Sequence, residues 1–218
     1  ATQQTGSRDT RVGGNRNFYG GFENMMPLPE FGNWFEPGDL RKAISFVETV
    51  DLGPPNGVIV LKSPTTPGAG PISAKYHNIG SGVLPTPGNS PNNHYIVRFA
   101  DVLLMRAEAE NELNGPTNAY QFINRVRERA GITPLAGLSK DQFTTALRKE
   151  RATELSFEGH RRYDLLRWGI FVETIKNSTS PILAIPRANI QDYNKLLPIP
   201  NNEVAASNGT LVQNPGYN

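Results

Sequence analysis

Cysteine is absent from the 218 residues. That excludes structural disulfides and any thiolate zinc site. Long apolar runs are absent too: no stretch approaches the ~20 apolar residues of a membrane-crossing helix. An excess of one charge is also missing. The chain has 22 Lys and Arg against 20 Asp and Glu, a formal net charge of +2. Such a balance supplies no bulk field for binding nucleic acid, so no nucleic-acid partner is expected. Histidine occurs three times. No HExxH, glycine-rich phosphate loop or Gly-x-Ser-x-Gly pattern is present. Neither a cofactor nor a metal site follows from any motif.

What is abundant points to loops and ion pairs. The chain contains 21 Gly and 18 Pro, and only 37% of it is apolar. Much of it should therefore run as turns and irregular segments. Its length suffices for one sizeable core or two small ones. Fifteen of the 22 cations are Arg, the side chain best suited to carboxylate pairs of fixed geometry.

Along the chain, a loop-rich front precedes a helical middle. Residues 1–36 carry Gly, Asn and aromatics without a sustained period. Residues 37–49 are predicted as a short helix that opens at Pro37, with Leu40, Ile44 and Val47 on one face. Residues 51–93 are dense in Pro and Gly. Val58–Leu61 is a strand candidate there, and Ala74–His77 a weaker one. From Val97, residues Leu103, Leu104, Ala107 and Asn111 recur at helical spacing. Asn114-Gly115 should stop that helix, and Pro116 should open the next. Ala119, Phe122, Ile123, Val126 and Ala130 then form the second stripe. So short a connection requires the two helices to pack antiparallel.

A third helix is announced by a capping box, Ser139 with Gln142. Its stripe is Phe143, Ala146, Leu147 and Leu155, and Gly159 is expected to end it. Arg161–Trp168 reads as a fourth helix with Tyr163, Leu166 and Ile170 inward. Pro181, Pro186, Pro198, Pro200 and Pro215 forbid long helices beyond, so the last forty residues are expected as extended strapping. The fold class expected is mainly α: a tetratricopeptide-like helix hairpin plus two further helices, long irregular loops and at most a small β-hairpin.

The run from Lys149 to Gly169 packs both signs of charge among bulky apolar groups. Glu150, Glu154 and Glu158 fall at i, i+4 spacing, which would suit a carboxylate metal site or an acid–base pair. The alternative is a structural ion-pair network of Glu150, Arg151, Glu154, Glu158, Arg161, Arg162 and Asp164, with Arg148 beside it. A di-iron pattern needs Glu and His three apart, whereas Glu158 and His160 are two apart. A glycosidase needs two carboxyls facing across a cleft, about 5–10 Å apart, which one helix face supplies poorly. The network is therefore the expectation, with Glu154 paired to Arg161 or Arg162. His160 reads either as a ligand or base, or as a cation at a helix C-terminus.

Ligand candidates lie among the aromatics before residue 40. Tyr19, Phe22 and Trp34 stand among Asn15, Asn17, Asn24 and Asn33. Sugars present C–H faces to rings and hydroxyls to amides. The same rings would equally serve as core plugs under a long loop.

Five motifs occur together in order: Val97–Glu110, Ile123–Gly131, Lys149–Gly169, Leu197-Pro198-Ile199-Pro200 and Gln213-Asn214-Pro215-Gly216-Tyr217. With the weaker markers Asp39-Leu40-Arg41 and Lys75-Tyr76, the chain resembles the SusD/RagB group of nutrient-binding lipoproteins. The resemblance covers residues 94–218, a C-terminal helical region, with residues 1–93 as a loop-rich segment of the same domain. It implies a non-enzymatic, lipid-anchored protein exposed at the outer membrane of a Gram-negative bacterium. Such a protein captures oligosaccharide, less often peptide, and passes it to a SusC-like TonB-dependent transporter. It also implies that this chain is the C-terminal portion, with N-terminal helices and the anchor lying outside it and serving as a further partner. The alternative is a helical module whose only ligand is protein. Family glycan sites use loop aromatics that vary in position, so no ligand residue carries over.

Overall fold

The computed structural model describes residues 27–51, 58–60, 71, 73, 75 and 95–217. Tyr19, Phe22, His77, His94 and, apart from Lys75, the Ala74–His77 strand candidate lie outside the described residues. The described elements are helical apart from one small sheet. After a 3-10 turn at Pro29–Trp34 come α1 (Lys42–Ser45), β1 (Thr49–Asp51) and β2 (Val58–Val60). Then follow α2 (Phe99–Asn114), α3 (Pro116–Arg129), α4 (Lys140–Glu154) and α5 (His160–Arg167). Short helices α6 (Phe171–Lys176), α7 (Ala184–Asn189) and α8 (Asn201–Ala206) complete the chain. β1 and β2 pair antiparallel, with Val50 opposite Ile59.

The chain divides into two compact units, residues 1–161 and 162–218. The division falls within α5. The described front segment belongs to the same unit as the helices through α4.

In the first unit the hairpin forms as its periodicity predicts. Leu103, Leu104 and Ala107 of α2 meet Ala119, Ile123 and Val126 of α3, and Phe143 and Leu147 of α4 close the core. Gly115 alone joins α2 to α3 at φ 80°, a value other residues rarely adopt. Pro116 occupies the first turn of α3, where its missing N–H costs nothing. The capping box on α4 is complete: Gln142 N donates to Ser139 Oγ, and Ser139 N donates to Gln142 Oε1. The front segment seats on this core through backbone, with Leu40 N donating to Ala130 O at 3.0 Å.

Three expectations need correction here. The helix over 37–49 shrinks to α1, and its apolar face turns outward: Leu40 is 67% and Ile44 50% exposed, while Asp39, Arg41 and Ser45 are buried. The reason is the destination of Arg41, which reaches carboxylates on α4. Second, α4 stops at Glu154, five residues before Gly159. Lys75 Nζ donates to the carbonyls of Glu154 and Ser156, and Arg98 Nη2 donates to that of Glu154. Cations thus satisfy carbonyls at the helix C-terminus, and Phe157 adopts φ 64°. Third, Tyr163 is 70% exposed while Asp164 and Leu165 are buried.

The second unit has its own small core, Leu165, Phe171 and Val172, with Trp168 and Ile190 packed against it. Its final residues form short helices and turns, not an extended strap. Gln213 clamps Ile199 by accepting from its N–H and donating to its carbonyl. Asn214 donates to Leu197 O, and Tyr217 Oη donates to Leu196 O. The two C-terminal motifs are therefore one locked structure.

Candidate functional site

The densest chemistry in the first unit surrounds the C-terminal half of α4. Glu150 and Glu154 sit one turn apart on its buried face. Glu150 accepts from Arg41 Nη1 at Oε1 and from Arg127 Nη1 at Oε2, the latter at 2.9 Å. Glu154 accepts from Arg41 Nη1 at 3.1 Å, Arg98 Nη2 at 3.1 Å, and Arg129 Nη2. Glu158, past the helix end, is gripped by Arg98 and pairs with Lys75. Asp39 holds Arg41 from the other side through Nε and Nη2. Arg151 pairs with buried Asp101 of α2 at 2.9 Å, and Glu36 completes Arg127.

Charge accounting explains why so many ionic groups tolerate burial. Asp39, Asp101, Glu36, Glu150, Glu154 and Glu158 face Arg41, Arg98, Arg127, Arg129, Arg151 and Lys75, so six charges oppose six. Each buried carboxylate has a hydrogen-bonded cation, as the interior demands. Burial pushes the Glu158 carboxyl up, but hydrogen bonds from Arg98 and the charge of Lys75 hold it below the ordinary glutamate range. Burial holds Lys75 below the ordinary lysine range despite Glu158. Arg41 and Arg98 are lowered by burial but raised further by their carboxylate partners, and stay charged.

The candidate network residues make different contacts within each unit. Glu150, Arg151, Glu154 and Glu158 join the cluster on α4 and just beyond it. The partner expected for Glu154 was Arg161 or Arg162; the guanidinium groups that hold it belong to Arg41, Arg98 and Arg129. Arg161 lies over the Trp34 ring, 5.4 Å from its centroid. In the second unit Arg162 donates to Asn194 O, and Asp164 pairs with Arg167. Sequence reasoning missed the cations that matter, although Arg41, Lys75, Arg98, Arg127 and Arg129 all stand in motif positions. Among the described residues no group of His, Asp and Glu is arranged to hold a metal ion. Among them, too, no helix is long and apolar enough to cross a membrane.

Trp34 joins a ring cluster. Its centroid is 5.9 Å from Phe31, which in turn meets Phe35, Phe46 and Phe157 edge-on. Half-buried, Trp34 lines a cavity of about 160 Å³ with Glu36, Asp39, Arg41, Arg127 and Glu150. That combination offers a ring face beside charged hydrogen-bonding groups.

The SusD family model matches residues 47–217. The chain belongs to the SusD family. Apart from Glu36, its network occupies motif positions through which the sequence resembles that family. A SusD-like protein P25 of Formosa agariphila is 45% identical over 134 residues, 60% of this chain and 25% of that protein. The starch-binding protein SusD of Bacteroides thetaiotaomicron is 32% identical over 128 residues, 56% of this chain and 21% of that protein. A solved laminarin-binding SusD-like protein is 30% identical with a TM-score of 0.64, covering 87% of this chain and 38% of that one. The chain thus spans about a quarter of the length of these curated SusD relatives.

Proposed function

We propose that this chain belongs to a surface protein that captures oligosaccharide without covalent chemistry. Membership of the SusD family carries the reading, supported by one relative named for starch and another for laminarin. The geometry is consistent with binding alone. The clustered carboxylates are each neutralised by arginine or lysine, so none is positioned as the proton donor or nucleophile of glycoside hydrolysis. Trp34, with Tyr19 and Phe22 ahead of it in sequence, is the proposed ring platform for a sugar. The captured glycan would pass to a SusC-like TonB-dependent transporter, from a protein lipid-anchored at the outer membrane and exposed to the medium.

An exposed apolar stripe on α2, Phe99, Val102 and Met105, supports a contact with further helices of the same protein. It also favours, as the second reading, a module whose only partner is protein. Native affinity electrophoresis through gels containing laminarin or starch separates the two. Retardation in either gel, with no reducing ends released from the glycan, is the expected result. Unchanged mobility across a panel of neutral and acidic glycans would favour the protein-only module.

A further inference from the structure

We infer that the second unit carries a binding cleft for an anionic sugar ring. This rests on the reading that the protein takes glycans, and it adds a site that shares no residue with the Trp34 cavity. The cleft measures about 380 Å³, within the size range of small-ligand sites. Phe171, Tyr193 and Tyr217 are its aromatic lining residues, and Arg162, Asn189 and Asn194 its polar ones. No carboxylate is among the described lining residues.

Arg162 makes the cleft selective. Its guanidinium lies 4.6 Å from the Phe171 centroid, and Nη2 donates to Asn194 O at 3.2 Å. These contacts hold the group in place, and among the described residues no carboxylate forms an ion pair with it, in contrast to the paired arginines of the first unit. Nε and Nη1 have no hydrogen-bond partner among the described residues, and neither does the Tyr193 hydroxyl. Tyr193 is itself fixed: it meets Tyr217 edge-on at 5.1 Å, and Gly216 backs onto its ring. A pyranose stacks its C–H face on such rings. A carboxylate on that pyranose matches the planar donor fork of Arg162. A neutral sugar would leave Arg162 covered without a counter-charge. The ligand class that satisfies both halves of the cleft is therefore a uronic-acid glycan.

Calorimetric titration of the whole chain with trigalacturonate tests this, with laminaritriose titrated separately as the neutral probe. Trigalacturonate should bind, more weakly as salt rises. Arg162→Gln should weaken it roughly tenfold or more, as loss of one partner of a charge pair does. Nuclear magnetic resonance on the unaltered protein gives an independent measurement: trigalacturonate should shift the ring signals of Tyr193 and Tyr217. Binding of laminaritriose without trigalacturonate would overturn the acidic site and leave the glycan reading intact. Trigalacturonate that binds Arg162→Gln unchanged, or leaves both tyrosine signals unmoved, would also overturn it. Binding of neither sugar would count against the glycan reading as well.

Discussion

Arg98 grips Glu158 with two parallel donors, Nε to Oε2 at 2.6 Å and Nη2 to Oε1 at 2.8 Å. The same Nη2 reaches the side chain and the carbonyl of Glu154. A residue at the entrance to α2 thereby fastens the exit of α4. Removing the buried Glu158 carboxylate takes from Arg98 and Lys75 a partner that offsets their partial burial.

Glu158→Gln should therefore destabilise the first unit by roughly 3 kcal/mol, the scale seen for broken buried pairs. The loss should depend on pH. Because the folded carboxyl titrates below its ordinary range, its contribution is complete above about pH 4.3 and fades as pH falls through the lower folded value. Urea melts of parent and variant at pH 7 and pH 3 check this. The gap should narrow at the acid end; an equal gap at both would disprove the link to ionisation.

Leu104→Ala removes a fully buried side chain from the meeting of α2, α3 and α4. A cost of about 2–5 kcal/mol is expected from thermal or urea unfolding. Leu113→Ala, at the exposed end of α2, should stay within about 0.5 kcal/mol. Similar losses at the two sites would mean that the α2 face is assigned wrongly.

Gly216→Ala should loosen the second unit alone. A Cβ there would stand 2.4 Å from Cγ of Tyr193, at φ +86°. Strain at such a position costs about 1–3 kcal/mol before the clash is counted. Near-ultraviolet circular dichroism should lose tyrosine signal, and amide exchange should quicken around Tyr193 and Tyr217. Unchanged exchange in those segments would contradict the packing described.

Trp34→Ala should weaken glycan binding by about 0.5–1.5 kcal/mol, the stacking increment of one ring. Titration against a bound glycan, with circular dichroism as the folding control, provides the measurement. Equal affinity, or collapse of helicity, would make Trp34 a plug for the Phe31, Phe35, Phe46 and Phe157 cluster and move the site elsewhere.

The hairpin was legible because its information is local. The stripes of α2 and α3 repeat at helical spacing, and Gly115-Pro116 has one reading as a stop followed by a start. The Ser139–Gln142 box was readable for the same reason. Glu158 was misplaced because helical spacing says nothing about where a helix ends. Cations from Lys75 and Arg98, some 80 and 56 positions away, take the carbonyls that would have continued it. Leu40 and Ile44 misled in the same way: their period is helical, but Arg41 outweighs them through partners more than 100 residues distant. For the site, chemistry was legible and pairing was not. The run of Glu and Arg announced ion pairs, yet which arginine met which glutamate was set by the tertiary fold.

Glu154 also sets the register of the first unit. Arg41, Arg98 and Arg129 reach it from three separate stretches of chain. Apolar surfaces can slide by a residue and still exclude water; a carboxylate shared by three donors has no such latitude. A partly docked front segment would strand Glu150 and Glu154, two like charges one turn apart, without their common guanidinium. Docking around α4 is therefore a logical AND: every strand of chain must arrive, in one register, before the charges can leave water.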